Sequence, residues 1–295
     1  MKHKQIDGIV VSTWLLLVAG VLLYAFSGYV WYQNIYLNQD RVFWSAIDGA
    51  LTTSGVVKEI DYSTDQTTQT QKIMLNFTPT LSSEGGQVFK NQNGQETVSE
   101  SIAFPKSDFA RFASIVNPET PKLKALEGIW ANTSGPEGSE SKILADHLTN
   151  GALILVGNLP KTKRDKLVNM MRDTKMYEVI GVSGKKEYSG KTANVYTVRI
   201  KVDSYNTVLT SYFQMIGMPG FAEQVSQSSE DTTDPIIEIA INPSNRQIYE
   251  AGYPKVGQAG TEKYSLWGFA RRPVAPEESV TATELQKRLD EAYTP

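Results

Sequence analysis

The pattern of hydrophobic and polar positions divides the chain into one long apolar run near its start and, beyond it, short alternating segments interrupted by helical stripes. From Gly8 to Tyr32 the run GIVVSTWLLLVAGVLLYAFSGYVWY carries no charge, and its length suits a helix crossing a hydrocarbon core of about 30 Å. Lys2, His3 and Lys4 precede it and no Lys or Arg lies between Gln33 and Gln39, an asymmetry that predicts a cytoplasmic N-terminus and a body outside. Trp14 inside the run and Tyr29, Trp31 and Tyr32 at its exit are the candidate membrane-anchoring side chains, because amphipathic rings favour the headgroup layer. The expectation is a cytoplasmic tail (1–7), a transmembrane helix (8–32), a juxtamembrane linker (33–41) and an extracytoplasmic domain (42–295) of a single-pass protein of the cell membrane. Ala25-Phe26-Ser27 before Gly28 also fits a signal cleavage site, and cleavage there would leave the body outside too.

Past the run, Val42, Phe43, Ala46, Ile47 and Ala50 keep helical spacing. Residues 55–62 and 71–77 alternate like strands, with Ile73, Leu75 and Phe77 on one face and Lys72, Met74 and Asn76 on the other. Residues 84–94, rich in Gly, Asn and Gln, read as a loop or ragged hairpin, and 97–104 as a strand. Phe109, Phe112, Ala113 and Val116 recur at i, i+3, i+4 and i+7, which predicts a helix after Pro105 that stops at Asn117-Pro118. Residues 151–156 read as a short apolar strand, and Leu167, Met170 and Met171 as the stripe of a helix with a basic, solvated face.

Strands at 177–182 and 195–202 are then expected around a long tip, SGKKEYSGKTA. The strongest stripe, Tyr205, Val208, Leu209, Tyr212, Phe213 and Ile216, predicts a core-facing helix ending at Gly217. Strands follow at 236–241, 247–251 and 263–269, with Asn242-Pro243-Ser244-Asn245 as a hairpin turn. Thr281 and Glu284 have capping-box spacing for a last helix carrying Ala282, Leu285 and Leu289. The fold class is α+β: the transmembrane helix, then a curved antiparallel sheet, a half-barrel, with helices packed on its concave face.

Composition removes several functions. With 29 Lys and Arg against 32 Asp and Glu the chain is mildly acidic and lacks the basic footprint of a nucleic-acid binder. It has no cysteine, hence no disulfide, thiolate metal site, cysteine nucleophile or acylated cysteine. No cofactor or metal is implied. GKKEYSGKT (184–192) resembles the end of a phosphate-binding loop, but five residues separate Gly184 from Gly190 where four are needed, and a strand follows. Of two histidines only His147 lies in the body; in ILADHLTNG, near a helix end, a solvated or dipole-favoured histidine is the ordinary reading and a catalytic base the sharper one.

Tyr205, Leu209, Tyr212, Phe213, Met215, Ile216, Met218 and Phe221 are ordinary core on one reading. On the other they line an apolar cavity between sheet and helices, since Met and aromatic rings adapt to greasy ligands. The order of elements resembles the LolA-like and LppX-like superfamily of bacterial envelope lipoprotein carriers and lipid-binding lipoproteins. The likeness is carried by FWSAIDGALTTSGVVKEIDYS, VYTVRIKVDSYNTVLTSYFQMIG, IIEIAINPSNRQIYEAGY and YSLWGFARRPVAPEESVTATELQKRL. It implies an incomplete antiparallel barrel plugged by helices, with acyl chains in the cavity. Such proteins are usually released by a signal peptidase or held through a lipidated cysteine, whereas this chain has no cysteine. The expected function is therefore non-enzymatic binding of a lipid or other amphipathic ligand by a membrane-anchored protein, with envelope proteins as further partners. A ligand-free interaction or scaffold module of an envelope assembly is the alternative, and a hydrolase using carboxylates or His147 a third class.

Overall fold

The computed structural model describes residues 18–32, 37–62, 64, 66–227, 233–254, 260–269 and 271–294. Residues 18–32 form a helix, α1, on which Tyr29, Trp31 and Tyr32 are exposed. Trp14 and the rest of the predicted span, 8–17, lie outside the described residues. At 1.5 Å per residue α1 extends ~22 Å against the ~30 Å of a hydrocarbon core, and no helix among the described residues is long and apolar enough to cross a membrane. This corrects both the transmembrane helix expected over 8–32 and the single-pass membrane placement drawn from it.

Twelve strands form one sheet: β1 (Gly55–Asp61), β2 (Thr67–Asn76), β3 (Ser82–Asn91), β4 (Glu96–Phe104), β5 (Ser107–Val116), β6 (Ala131–Asn132), β7 (Tyr177–Tyr188), β8 (Lys191–Ile200), β9 (Ile236–Ile241), β10 (Ile248–Gly252), β11 (Thr261–Ser265) and β12 (Val280–Thr281). Their spatial order is β12-β6-β5-β4-β3-β2-β1-β11-β10-β9-β8-β7. The β12–β6 pair is parallel, so the sheet is mixed where a purely antiparallel one was expected.

The helices of the main core pack on one face, here the inner face, and the last helix packs with residues 121–126 in a separate small core. The α-helices after α1 are α2 (Gln39–Ala50), α3 (Lys142–Thr149), α4 (Lys161–Asp173), α5 (Val202–Ile216), α6 (Pro219–Gln227) and α7 (Ala282–Tyr293). The Asn38 side chain caps α2 by accepting the Arg41 N–H at 3.1 Å, and the stripe of α2 buries Val42, Phe43, Ala46, Ile47 and Ala50. The stripe of α5 behaves as predicted, ending at Gly217 in the left-handed conformation (φ 87°) that glycine adopts without strain. Thr281 Oγ1 accepts the Glu284 N–H at 3.1 Å and starts α7 as its spacing predicts.

Four expectations fail for identifiable reasons. The Gly-rich stretch taken for a loop is strand β3, where Gly85 lets a side chain from α3 approach the sheet. The predicted helix after Pro105 is β5: Phe109 and Phe112, an odd three residues apart, pair with Ile102 and Ser99 on opposite faces, and the bulge opposite Val98/Ser99 falls just beyond them at Ala113, so apolar residues on both faces of one strand mimic a helical repeat. The apolar run at 151–156 joins no strand of the sheet. It opens a buried strap, residues 152–159, lying between the sheet and α5 and contributing Ala152, Leu153, Ile154, Leu155, Val156 and Leu159 to the core. The long tip expected between β7 and β8 is strand as well, closed by Ser189-Gly190 with positive φ at both residues, the two-residue turn whose twist matches a hairpin.

Candidate functional site

A strap without a ladder must find partners for its backbone groups elsewhere, and here side chains supply them. The Tyr177, Tyr205 and Tyr212 hydroxyls donate to the carbonyls of Leu153, Ala152 and Val156 at 2.7, 2.8 and 2.7 Å. Lys58 Nζ donates to the Asn150 carbonyl at 2.6 Å, and Glu262 Oε1 accepts the Leu153 N–H at 3.0 Å. Lys58 and Glu262 are 1% and 0% exposed, on inner positions of β1 and β11. Burial pushes the Lys58 ammonium down and the Glu262 carboxyl up, each partly opposed by the other's charge. The Tyr264 hydroxyl donates to the second Glu262 oxygen.

His147 closes the cluster. Its Nδ1 is 2.7 Å from Ser83 Oγ and its Nε2 3.1 Å from Ser101 Oγ, so a neutral ring donates to one serine and accepts from the other. It is 3% exposed, not solvated as its place near a helix end suggested, and burial, aided by the Lys58 charge, pulls it down to about 3. A Cβ on Gly85 would lie 2.7 Å from the ring. Enclosed under α3, this cluster organises structure and presents no base to solvent.

The opposite, outer face of the same strands carries a groove of about 320 Å³, at the small end of ligand sites. The register aligns Val57 with Met74, Glu84 and Ile102 across β1–β4, and Lys72 with Gly86, Glu100 and Arg111 across β2–β5. Val57, Met74 and Ile102 make an apolar floor while Lys72, Glu84, Glu100 and Arg111 make a charged rim. Trp130 forms one wall, with the Arg111 guanidinium 4.6 Å from its ring centroid and held there by Nε donating to Glu100 at 2.8 Å. Among the described residues Lys72 has no ion-pair partner. The face can therefore take an apolar body and meet a polar head with either sign of charge.

The eight residues predicted to line a cavity all lie on or just after α5 and pack into the main core. Leu209, Tyr212, Phe213 and Met218 are buried, and Tyr205, Met215, Ile216 and Phe221 border them partly exposed. They meet the strap from the side away from the sheet. None of them lines the groove. Sequence reasoning missed Lys58, Glu262, Trp130, Arg111 and Lys72. For the first two a signal existed: Lys58 shares the parity of Val56 and Ile60, and Glu262 that of Tyr264, so each is a charge in an otherwise inward row.

No family profile and no curated protein matches the sequence. In chain trace the structure is similar to LprF from Mycobacterium bovis, with 11% identity, 79% of this chain and 93% of that chain covered and a TM-score of 0.42. The chain resembles LprF and LppX. The Mycobacterium tuberculosis lipoprotein LppX matches with 12% identity, 81% and 97% coverage and a TM-score of 0.37.

Proposed function

We propose that this protein binds a lipid or other amphipathic ligand without chemically changing it, and that the outer groove is the site. The observation that carries the reading is the register-aligned apolar floor of Val57, Met74 and Ile102 beside the Trp130–Arg111 wall. Supporting it, the buried titratable groups Lys58, Glu262 and His147, each shifted towards its neutral form by burial, are engaged in holding the strap and α3. Their engagement favours binding over catalysis.

One observation favours a second location, between sheet and helices at Tyr205, Leu209, Tyr212, Phe213, Met215, Ile216, Met218 and Phe221. The strap beneath α5 is tied by side chains at Ala152, Leu153 and Val156 and by backbone bonds from Gly157 and Leu159 to the end of α2, and it has no sheet ladder, so it can move without opening the sheet. A ligand-free interaction module is the remaining alternative.

The test is photolabelling of the full chain with a diazirine-bearing fatty acid, followed by peptide mapping. Label on peptides carrying Met74, Ile102 and Trp130, reduced about tenfold by Trp130→Ala with Lys72→Glu, is expected from loss of an aromatic wall and a rim charge. Label concentrated on the α5–α6 peptides would move the site to the inner location. Label on neither region would leave the interaction module.

A further inference from the structure

At the end of the sheet where β11 stops, the chain makes a tight turn through Leu266, Trp267, Gly268 and Phe269. Its underside is anchored. The Phe269 N–H donates to the Leu266 carbonyl at 3.0 Å and the Gly268 N–H to the Gly55 carbonyl at 2.9 Å. Ser54 Oγ donates to the Gly268 carbonyl at 2.7 Å and the Trp267 indole N–H to the Ile248 carbonyl at 2.9 Å. The indole also stacks on Tyr264 at 5.7 Å.

What this turn holds outward is apolar. Leu266 is 57% exposed and Phe269 49%, and Leu266 has a positive φ of 50°, a conformation a leucine rarely adopts. Five residues on, Val274 is 80% exposed. Between them Arg271 and Arg272 are both exposed, and among the described residues neither guanidinium has an ion-pair partner. The Arg271 backbone is fixed by its N–H donating to Asn76 Oδ1 at 2.7 Å.

We infer that this turn is a docking surface for an anionic lipid bilayer, with Leu266 and Phe269 entering the headgroup layer and Arg271 and Arg272 meeting the acidic heads. A projecting apolar tip suits a fluid layer that closes around it. The adjacent unpaired cations match the negative potential of such a layer. The inference is independent of the outer groove: it concerns the end of the strands and not their face, and the substitutions at Leu266, Phe269, Arg271 and Arg272 that test it leave the groove lining unchanged.

Because the chain has no cysteine, one fluorophore site can be installed in the full-length protein. An environment-sensitive label on Ser265→Cys reports the tip while keeping Leu266 and Phe269. The same label on Asn93→Cys reports the β3–β4 turn at the opposite end of the strands. With vesicles of phosphatidylcholine and phosphatidylglycerol, the label at 265 is expected to shift to the blue and brighten while that at 93 does not change. Vesicles of phosphatidylcholine alone are expected to produce little response. Arg271→Ala with Arg272→Ala should weaken the vesicle response about thirty-fold, and Leu266→Ser with Phe269→Ser should weaken it comparably. The inference is overturned by no response at 265, by an equal response to neutral vesicles, or by an equal response at 93. A response that grows with protein concentration in the absence of vesicles overturns it too, in favour of a second copy of the chain on the tip.

Discussion

The Glu262 carboxylate accepts the backbone N–H of Leu153 at 3.0 Å, a fully buried side chain standing in for the neighbouring strand that Leu153 lacks. The opposite charge comes from Lys58, whose ammonium holds the Asn150 carbonyl at the start of the same segment. The two ionisable groups thus grip the strap from adjacent strands of the inner face. Burial pushes both groups towards their neutral forms, and each one's hydrogen bonds and the opposite charge of the other work against that push.

Replacing Glu262 tests that grip. Glu262→Ala leaves the Leu153 N–H, the Tyr264 hydroxyl and the Lys58 charge uncompensated, and is expected to cost about 3–5 kcal/mol in urea unfolding. Glu262→Gln keeps an acceptor and should cost less, about 1–2 kcal/mol. Equal losses for the two variants would show that the carboxylate fills space and little more.

His147 makes stability depend on pH with a definite sign. Its folded value of about 3 lies below the ordinary 6.5, so below pH 6.5 the unfolded chain takes up a proton that the folded one refuses. Its contribution is therefore full above 6.5 and falls as pH drops towards 3, by about 2 kcal/mol at pH 5. Glu262, shifted upward, runs the other way, contributing most at low pH and less as pH rises through its folded value. The difference between wild type and His147→Gln isolates the histidine: its slope between pH 6.5 and 4 should be present in wild type and missing in the variant. Parallel pH profiles would falsify the buried, neutral assignment.

Gly85→Ala places a methyl against the His147 ring and should destabilise by about 1–3 kcal/mol through overpacking. In the background of His147→Ala the same change should cost much less, giving a coupling energy above about 1 kcal/mol. Strict additivity would mean that the glycine is there for some other reason.

Tyr212→Phe removes the hydroxyl that satisfies the buried Val156 carbonyl, with an expected loss of about 1–2 kcal/mol. Hydrogen exchange at the Gly157 and Leu159 amides, which donate to the Ala50 and Leu51 carbonyls, should quicken beyond the global loss if the strap opens locally. Exchange that changes only in step with global stability would make the strap part of one cooperative unit.

Elements whose pattern answers to their own local period were legible in the chain. The stripe of α5 and its glycine stop, the alternation of Tyr196, Val198 and Ile200 in β8, and the Thr281–Glu284 cap of α7 all formed as read. Each depends on residues a few positions apart, and backbone geometry alone puts those on one side. Where a second element intervened, the reading broke down. Gly85 looked like loop because nothing nearby shows that His147 needs its space, and apolar residues on both faces of β5 counterfeited a helical spacing. The solvated histidine expected at 147 is buried because α3 lies on β3 and β4, a packing that no spacing within ILADHLTNG reveals.

By itself, then, the sequence determined an α+β chain with its stripes, caps and turns, and the absence of thiol chemistry. Tertiary structure decided the parallel β12–β6 pair, the strap in place of a strand and the meeting of Lys58, Glu262 and His147. It also decided the groove, where Val57, Met74, Glu84 and Ile102 line up only through the registers of three separate strand pairings. The division has one physical cause. Local periodicity sets which face a residue occupies, but only long-range pairing and packing set what lies opposite it.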